Sequence, residues 1–112
     1  MADLTVNFAG VSFKTPVVVA SGTFGFGREY GEMFDLSLLG GICVKGLTLN
    51  ARLGNPPPRI AETPMGMLNS VGFQNPGVDA FVEHELPFLR RHDTNIIANI
   101  SGNTVDEYCR MA

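Results

Sequence analysis

The sequence is poor in charge of either sign. Only 17% of its 112 residues are charged and the formal net charge is −3, whereas an average soluble domain has about 25% charged residues. Disordered chains combine high charge with low hydrophobicity, and 45% of this chain is hydrophobic, so we expect it to fold. No arginine-rich arm or block of basic residues is present, which argues against nucleic acid as a partner.

Cysteines and long apolar runs are also scarce. Cys43 and Cys109 cannot build a disulfide framework, which favours a reducing, cytoplasmic setting. The longest uninterrupted apolar run, Pro16 to Ala20, is far shorter than the roughly 20 residues that cross a bilayer, so no membrane association is expected. Met1 to Thr5 show no positively charged segment leading into an apolar one, so no signal peptide is expected.

Glycine and proline, in contrast, are in excess. The chain has 13 glycines and 7 prolines, which cluster in three stretches instead of spreading as in low-complexity sequence. The stretches are 21–31, 54–66 and 72–77. Glycine-rich loops between apolar segments are typical of places where a backbone approaches a ligand closely.

The apolar pattern predicts alternating strands and helices. Alternation around Ala9 and Gly10 predicts a short hairpin. Three apolar runs, 17–20, 42–44 and 95–100, predict parallel strands buried on both faces. The predicted connections are, in order, a helix over 28–39, an irregular stretch over 48–76, a helix over 78–91 that Pro87 kinks or divides, and a helix that begins at Thr104.

Repeated strand–helix units predict an α/β fold with a parallel sheet and right-handed crossovers. A doubly wound sheet and a (β/α)8 TIM barrel both fit this order. The leading hairpin, placed to plug the lower mouth of a barrel, favours the barrel. Because a barrel needs about 250 residues, we expect residues 1–112 to be the N-terminal portion of one, about three βα units plus the leading β-hairpin, and thus an incomplete single domain.

Polar residues follow each of the three predicted strands. They are Ser21-Gly22-Thr23, Lys45-Gly46 and Asn99 to Asn103. Ligand chemistry in parallel sheets collects at the carboxyl ends of the strands, and hydroxyl, ammonium and amide groups there suit a planar, anionic ligand. The alternative is that polar residues simply end the strands. The pattern alone leaves both open.

Lys45 is the most informative single residue. It is one of only two lysines and directly follows an apolar strand. An ammonium at that depth is costly to desolvate unless an anion pairs with it, which favours a functional role. The alternative is an ammonium that reaches solvent at the strand end.

Other motifs give no competing assignment. The loop from Gly22 to Gly31 lacks both the dinucleotide-binding G-x-G-x-x-G and the P-loop pattern. His84 and His92 have no cysteine or further histidine at ligand spacing, so no metal site is predicted. Both cysteines are interpreted as small buried apolar residues. The acidic residues Asp106, Glu107, Glu83 and Glu85 are interpreted as solvated helix faces.

Five segments, in this order, resemble one known family. They are Ala20 to Gly27, Lys45 to Leu49, Arg52 to Pro56, Gly66 to Gly77 and Asn99 to Thr104. Together they resemble the catalytic subunits of the class 1B bacterial dihydroorotate dehydrogenases, over nearly the whole chain. The Thr-Phe-Gly-Phe-Gly and Gln-Asn-Pro-Gly segments resemble the NAD-linked 1B branch rather than the fumarate-linked 1A branch.

The resemblance implies a (β/α)8 barrel that holds FMN at the carboxyl ends of its strands and oxidises dihydroorotate to orotate in pyrimidine (UMP) biosynthesis. Position by position, it implies FMN contacts at Ser21, Lys45, Gly46 and Asn99. It implies substrate contacts at Lys45, Asn69, Ser70, Val71, Gly72 and Phe73. The chemistry agrees, because an ammonium stabilises the negative charge of a reduced flavin, and amide groups match a pyrimidine edge and a carboxylate.

The resemblance also implies partners and missing parts. The partners are dihydroorotate or orotate, an FAD and iron–sulfur electron-transfer subunit that passes electrons to NAD, and a second catalytic subunit in a homodimer. The family's base is a cysteine beyond the fourth strand and lies past Ala112, so no catalytic residue is assigned in this chain. The FMN phosphate site, built by the last strands, is also missing. Two positions depart from the family: Ala51 stands where proline is usual, and Phe73 where leucine is usual.

Two further interpretations stay open. One is another FMN barrel that acts on pyrimidines, such as the related domain of dihydropyrimidine dehydrogenase, although the Phe-Gly-Phe-Gly loop argues against it. The other is an inactive, truncated fragment that holds half of a site.

Overall fold

The computed structural model describes residues 2–112 and alternates short strands with short helices. The strands are β1 (Val6–Phe8), β2 (Val11–Phe13), β3 (Val18–Val19), β4 (Gly41–Cys43), β5 (Ile60–Thr63), β6 (Gly66–Asn69) and β7 (Asn95–Ile97). The α-helical segments are α1 (Ser21–Phe24), α2 (Arg28–Gly31), α3 (Val78–Ala80), α4 (Leu86–Leu89) and α5 (Val105–Met111).

The chain opens with an antiparallel hairpin of β1 and β2, as predicted. Ala9 and Gly10 connect the strands with φ angles of 50° and 80°. Two consecutive left-handed residues match the right-handed twist of the flanking strands, which is why two-residue hairpins adopt this turn. The hairpin contacts the amino ends of the sheet strands, since the Asn95 side chain donates a hydrogen bond of 3.0 Å to the Ser12 carbonyl.

Three strands form the predicted parallel sheet, in the order β3-β4-β7. Ile42 lies opposite Val19 on one side and Ile96 on the other. The ladder continues beyond the regular strands, because the Leu47 N–H donates to the Asn99 carbonyl at 2.8 Å. β3 and β7 are shorter than the predicted runs 17–20 and 95–100, whereas β4 has three residues, as predicted, and begins one position earlier.

The apolar core lies on one face of this sheet. Side chains alternate along β4, so Ile42 and Val44 face the helices and are fully buried, while Cys43 faces the other way. The remaining buried members of the core are Phe24, Leu36, Leu39, Leu47, Phe81 and Leu89. Burial on both faces was wrong for residues 2–112: Val18 is 46% exposed and Ile97 is 36% exposed, because the described helices cover only one face.

The helix predicted over 28–39 is divided in the structure. It consists of α2 and a separate 3-10 turn at Leu36–Leu38. The Asp35 carboxylate accepts a hydrogen bond of 2.9 Å from the Ser37 N–H and caps the second piece. Aspartate favours such caps over helix interiors because its side chain competes for nearby backbone N–H groups.

The helix predicted over 78–91 ends at Leu89, and it is divided before Pro87, as predicted. A π-helical turn, Phe81–Glu85, separates α3 from α4. Proline cannot donate to the preceding turn, so the hydrogen-bond register shifts before it. Arg28 stabilises this turn: its guanidinium donates to the His84 carbonyl at 2.9 Å and to the Glu85 carboxylate at 2.7 Å.

The stretch 48–76 is not irregular throughout, which corrects the prediction. Its centre is the antiparallel hairpin of β5 and β6, in which Ile60 lies opposite Asn69. Every residue of both strands is exposed. Neither strand therefore shows the alternation of buried and solvent-facing residues from which strands are recognised in a sequence.

Two further findings concern single residues and the membrane. The interpretation of Cys109 as buried was wrong, since it is exposed on α5, while Cys43 is half-buried and both thiols are free. Between residues 2 and 112, no helix has the length and apolar character that a bilayer crossing requires.

Candidate functional site

The carboxyl end of the sheet brings two of the predicted residues together. Ser21 follows β3 and Asn99 follows β7, two strands that are separated by β4. The Asn99 side-chain amide donates a hydrogen bond of 3.2 Å to the Ser21 hydroxyl. This bond joins the ends of the outer strands, as expected for residues at one edge of a parallel sheet.

Lys45 follows the central strand at the same edge. Its backbone N–H donates to the Gly25 carbonyl at 2.8 Å, which ties the glycine-rich loop after α1 to the end of β4. The side chain is half-buried and forms no ion pair with any carboxylate of the described residues. Its ammonium lies 5.6 Å from the ring centroid of Phe73.

Gly46 and Phe73 are in direct contact. Gly46 is buried, and a Cβ built on it would lie 2.5 Å from Cζ of Phe73. Any side chain at position 46 would therefore displace the ring. The absence of a side chain lets the segment that contains Phe73 approach the end of β4.

The segment from Asn69 to Phe73 is held mainly by Asn55. The Asn55 side chain donates to the Ser70 hydroxyl at 2.8 Å, and the Asn55 N–H donates to the Val71 carbonyl at 3.0 Å. Gly72 has φ 76°, and a Cβ on it would lie 2.6 Å from the Asn55 nitrogen. Glycine is thus required at position 72 both by conformation and by space.

The backbone of this segment offers free donors. Within residues 2–112, the N–H groups of Val71, Gly72 and Phe73 donate no hydrogen bond. Backbone N–H groups without a partner in the protein can donate to an anion. The segment can therefore accept a carboxylate through its backbone.

Asn69 does not join this arrangement in the described chain. It ends β6, is exposed, and forms no side-chain hydrogen bond within residues 2–112. Its predicted role in contacting a pyrimidine stays a prediction, and the amide is not a buried group here.

Sequence reasoning missed Asn75 and Thr48, which tie the segment to the sheet. They are 6% and 7% exposed and the only buried polar side chains of the described residues. The Asn75 side-chain oxygen, Oδ1, accepts from the Thr48 N–H at 3.0 Å and from the Gly77 N–H at 2.9 Å. Its amide nitrogen donates to the Phe73 carbonyl at 2.9 Å. The Asn75-Pro76 pair was the available signal, because asparagine before proline initiates turns of this kind.

Arg59 was also missed. Its guanidinium donates to the Gln74 side chain at 2.7 Å, to the Leu53 carbonyl at 2.9 Å and to the Asn55 carbonyl. A single arginine thereby joins both ends of the 53–74 stretch. No sequence pattern marks this role, since it depends on the hairpin of β5 and β6 bringing the two ends together.

Comparison with known proteins identifies the family of this chain. The family model described as dihydroorotate dehydrogenase matches residues 3–112. The chain belongs to the dihydroorotate dehydrogenase family. The resemblance inferred from the five sequence segments is therefore confirmed.

Curated dihydroorotate dehydrogenases include relatives of high identity. The chain is 62% identical over 110 residues to "Dihydroorotate dehydrogenase B (NAD(+)), catalytic subunit" of Thermoanaerobacter pseudethanolicus, covering 98% of this chain and 36% of that protein. It is 64% identical over 108 residues to the protein of the same name from Petrotoga mobilis, covering 96% of this chain and 36% of that protein. The chain thus spans about a third of the length of these relatives. The words "catalytic subunit" imply that those proteins act with another subunit.

Solved structures of the family show the same fold over this length. A crystal structure of DHODH from Eimeria tenella in complex with ferulenol superposes with a TM-score of 0.68 at 28% identity, covering 96% of this chain and 32% of that chain. The ligand-free DHODH of the same organism superposes with a TM-score of 0.70 at 29% identity, covering 97% and 34%.

Proposed function

We propose that this chain is the N-terminal part of an FMN-binding (β/α)8 barrel that oxidises dihydroorotate to orotate in pyrimidine biosynthesis. The whole protein that contains this chain is the full-length enzyme. The observation that carries the proposal is the 62% identity to a catalytic subunit of dihydroorotate dehydrogenase B. The strand-end positions of Ser21, Lys45 and Asn99 support it.

The residues at the carboxyl edge fit a flavin. Ser21 and Asn99 supply a hydroxyl and an amide that already face each other across the end of β4. The Gly22 and Gly25 positions leave open space where a side chain would stand. An ammonium that pairs with no carboxylate among residues 2–112 lies at the same edge, on Lys45. Bound there, FMN would accept the two electrons that leave dihydroorotate.

In this proposal the candidate site residues bind the flavin and the substrate but do not accept the proton. Ser21 and Asn99 bind the flavin by hydrogen bonds, and Lys45 places a positive charge where negative charge develops during reduction. The free N–H groups of Val71, Gly72 and Phe73 bind the substrate carboxylate. The proton-accepting base is supplied by a part of the full-length enzyme that this chain does not contain.

The proposed partners follow from the relatives. An electron-transfer subunit that carries FAD and an iron–sulfur cluster would pass electrons to NAD, in agreement with the words "NAD(+)" and "catalytic subunit" in the relatives' names. We further propose a homodimer of catalytic subunits and a cytoplasmic location. Co-purification of a second subunit with the full-length enzyme tests the first of these points.

The activity is tested by presenting the flavin-loaded full-length enzyme with two substrates. Dihydroorotate should bleach the flavin absorbance and yield orotate, whereas dihydrouracil, which lacks the carboxylate, should react far more slowly. Equal rates with both would favour another pyrimidine-reducing or pyrimidine-oxidising barrel. Failure of both to reduce the flavin would contradict the proposal.

The same assay on a polypeptide of residues 1–112 tests the fragment interpretation. We expect that polypeptide to be inactive, to bind FMN weakly or not at all, and to associate in solution. The reason is that Val18 and Ile97 expose apolar surface on one sheet face and that β3 and β7 have unpaired edges within residues 2–112. A yellow, monomeric and active product would show that FMN binding and activity do not require the strands that residues 1–112 lack.

A further inference from the structure

Phe73 has a backbone conformation that phenylalanine rarely adopts. Its φ is 60°, directly after Gly72 at 76°. The left-handed region is unfavourable for residues with a bulky side chain, and such residues persist only when the surroundings hold them. Here the Asn75 amide donates to the Phe73 carbonyl at 2.9 Å. The buried Asn75 thus holds the Phe73 backbone in this conformation.

The ring points toward two cations. The ammonium of Lys45 lies 5.6 Å from the ring centroid, and the guanidinium carbon of Arg52 lies 6.0 Å from it. The outer edge of the ring rests on the buried Gly46, where a Cβ would come within 2.5 Å. The backbone on one side and the cations on the other leave the ring little freedom.

The position of the Lys45 ammonium depends on its neighbouring side chains. Its ammonium stands on a flexible four-carbon stem, and no carboxylate of the described residues pairs with it. The negative face of an aromatic ring attracts an ammonium and favours the stem conformations that keep it close. A leucine at position 73 would supply the same apolar character without this attraction.

We propose that the Phe73 side chain is a positioning residue for Lys45: the ring, seated on Gly46, holds the Lys45 ammonium at the carboxyl edge of the sheet. The assignment rests on the proposed function for its effect on catalysis. It differs from the backbone role of the 69–73 segment, because it concerns the ring alone.

The decisive test is a double-mutant cycle in the flavin-loaded full-length enzyme, with Phe73→Leu, Lys45→Met and the double variant. Phe73→Leu alone should slow the reduction of the flavin by dihydroorotate by about two- to fivefold, the value of an exposed cation–π contact. In the Lys45→Met background the same substitution should have no further effect. An equal slowing in both backgrounds would show that Phe73 acts only on loop structure and would overturn the proposal.

A second readout does not depend on activity. In the flavin-free full-length enzyme, the ring should shift the NMR signals of the Lys45 ε-methylene protons upfield, and these signals are assigned by their loss in Lys45→Met. The shift should disappear in Phe73→Leu. It should also disappear in Gly46→Ala, where the new methyl group displaces the ring while Phe73 itself is retained. Unshifted Lys45 signals in the unmodified enzyme would overturn the proposal.

Phe88 offers a matched control. The guanidinium carbon of Arg28 lies 4.7 Å from its ring centroid, so Phe88→Leu removes a similar contact away from the carboxyl edge. This variant should lower the melting temperature but leave the Lys45 signals and the rate of flavin reduction unchanged. A full-length enzyme that fails to oxidise dihydroorotate would contradict the proposed function, yet the Lys45 signals would still decide whether Phe73 positions this lysine.

Discussion

The end of the parallel sheet and the loop segment from 48 to 77 are held together by different forces. Around β4 the contacts are apolar, and Ile42 and Val44 are fully buried against the helices. In the loop segment the contacts are hydrogen bonds that Asn75, Arg59 and Asn55 form with backbone groups, as acceptor and donor in the case of Asn75 and as donors in the other two. The candidate site lies where the two regions meet, so its residues depend on both kinds of stabilisation.

The difference between these two regions also explains why the sequence predicts the sheet end but not the contacts of the loop segment. Apolar runs mark β3, β4 and β7, and parallel pairing then requires their polar successors to share one edge, as the bond between Asn99 and Ser21 shows. A residue such as Arg59 carries no comparable signal, because its partners lie at both ends of a stretch whose folding depends on a fully exposed hairpin. Burial leaves a pattern in a sequence, whereas the hydrogen bonds of a residue such as Arg59 do not.

Lys45→Ala should have the largest effect. Loss of the ammonium that we propose to face the developing charge should slow flavin reduction in the full-length enzyme by about 10²–10³-fold, measured by stopped-flow absorbance. Lys14→Ala is the matched control, since the other lysine pairs with Asp93 at 3.1 Å on the surface and should leave the rate unchanged. A wild-type rate of flavin reduction in Lys45→Ala would show that Lys45 has no role in this reaction.

Ile42→Ala tests the apolar region directly. The substitution leaves a cavity between the sheet and the helices and should lower the free energy of unfolding by about 2–5 kcal/mol. Chemical denaturation of the full-length enzyme measures this loss. Val82→Ala, on the half-exposed side of the helix over 78–89, should change stability much less. Similar losses in both variants would mean that burial on one sheet face is not what stabilises this region.

Asn75→Ala tests the polar region in the same way. It leaves the N–H groups of Thr48 and Gly77 without their acceptor, which should cost about 1–3 kcal/mol. Hydrogen exchange should become faster at these two amides and remain unchanged in β4. Asn75→Asp keeps the accepting oxygen and should retain part of the protection. Faster exchange throughout the sheet would show that the two regions are not separately stabilised.

Asn69→Ala should have a smaller effect because the side chain is exposed. Loss of one hydrogen bond to the pyrimidine edge should weaken orotate binding to the full-length enzyme by about 0.5–1.5 kcal/mol, measured by calorimetry. FMN content should stay the same. Met67→Ala, on the same exposed strand, is the control and should not affect orotate. An Asn69→Ala enzyme that binds orotate normally but loses FMN would show that Asn69 contacts the flavin and not the substrate.

The pH dependence of stability that comes from Asp35 should be the smallest of these effects, because this carboxyl is exposed. The backbone N–H of Ser37, followed by its side chain, lowers the pKa of the Asp35 carboxyl below 3.8, and His92 contributes less. A folded-state pKa below the unfolded value stabilises the folded chain above that unfolded value, and this contribution is lost as the pH falls through the folded-state pKa. An NMR titration midpoint at or above 3.8 would contradict this capping contact.

The exposed methionines of the hairpin of β5 and β6 can report whether this hairpin is covered in the full-length enzyme. Its tip carries Met65, which is 99% exposed, and the neighbouring Met67 is also exposed. Thioether sulfur is oxidised by dilute peroxide at a rate that follows its access to solvent, and mass spectrometry resolves each methionine separately. The oxidation rate of Met65 can thus serve as an internal footprint of the hairpin tip: slow oxidation in the full-length enzyme would mean that other parts of the protein or another subunit cover it.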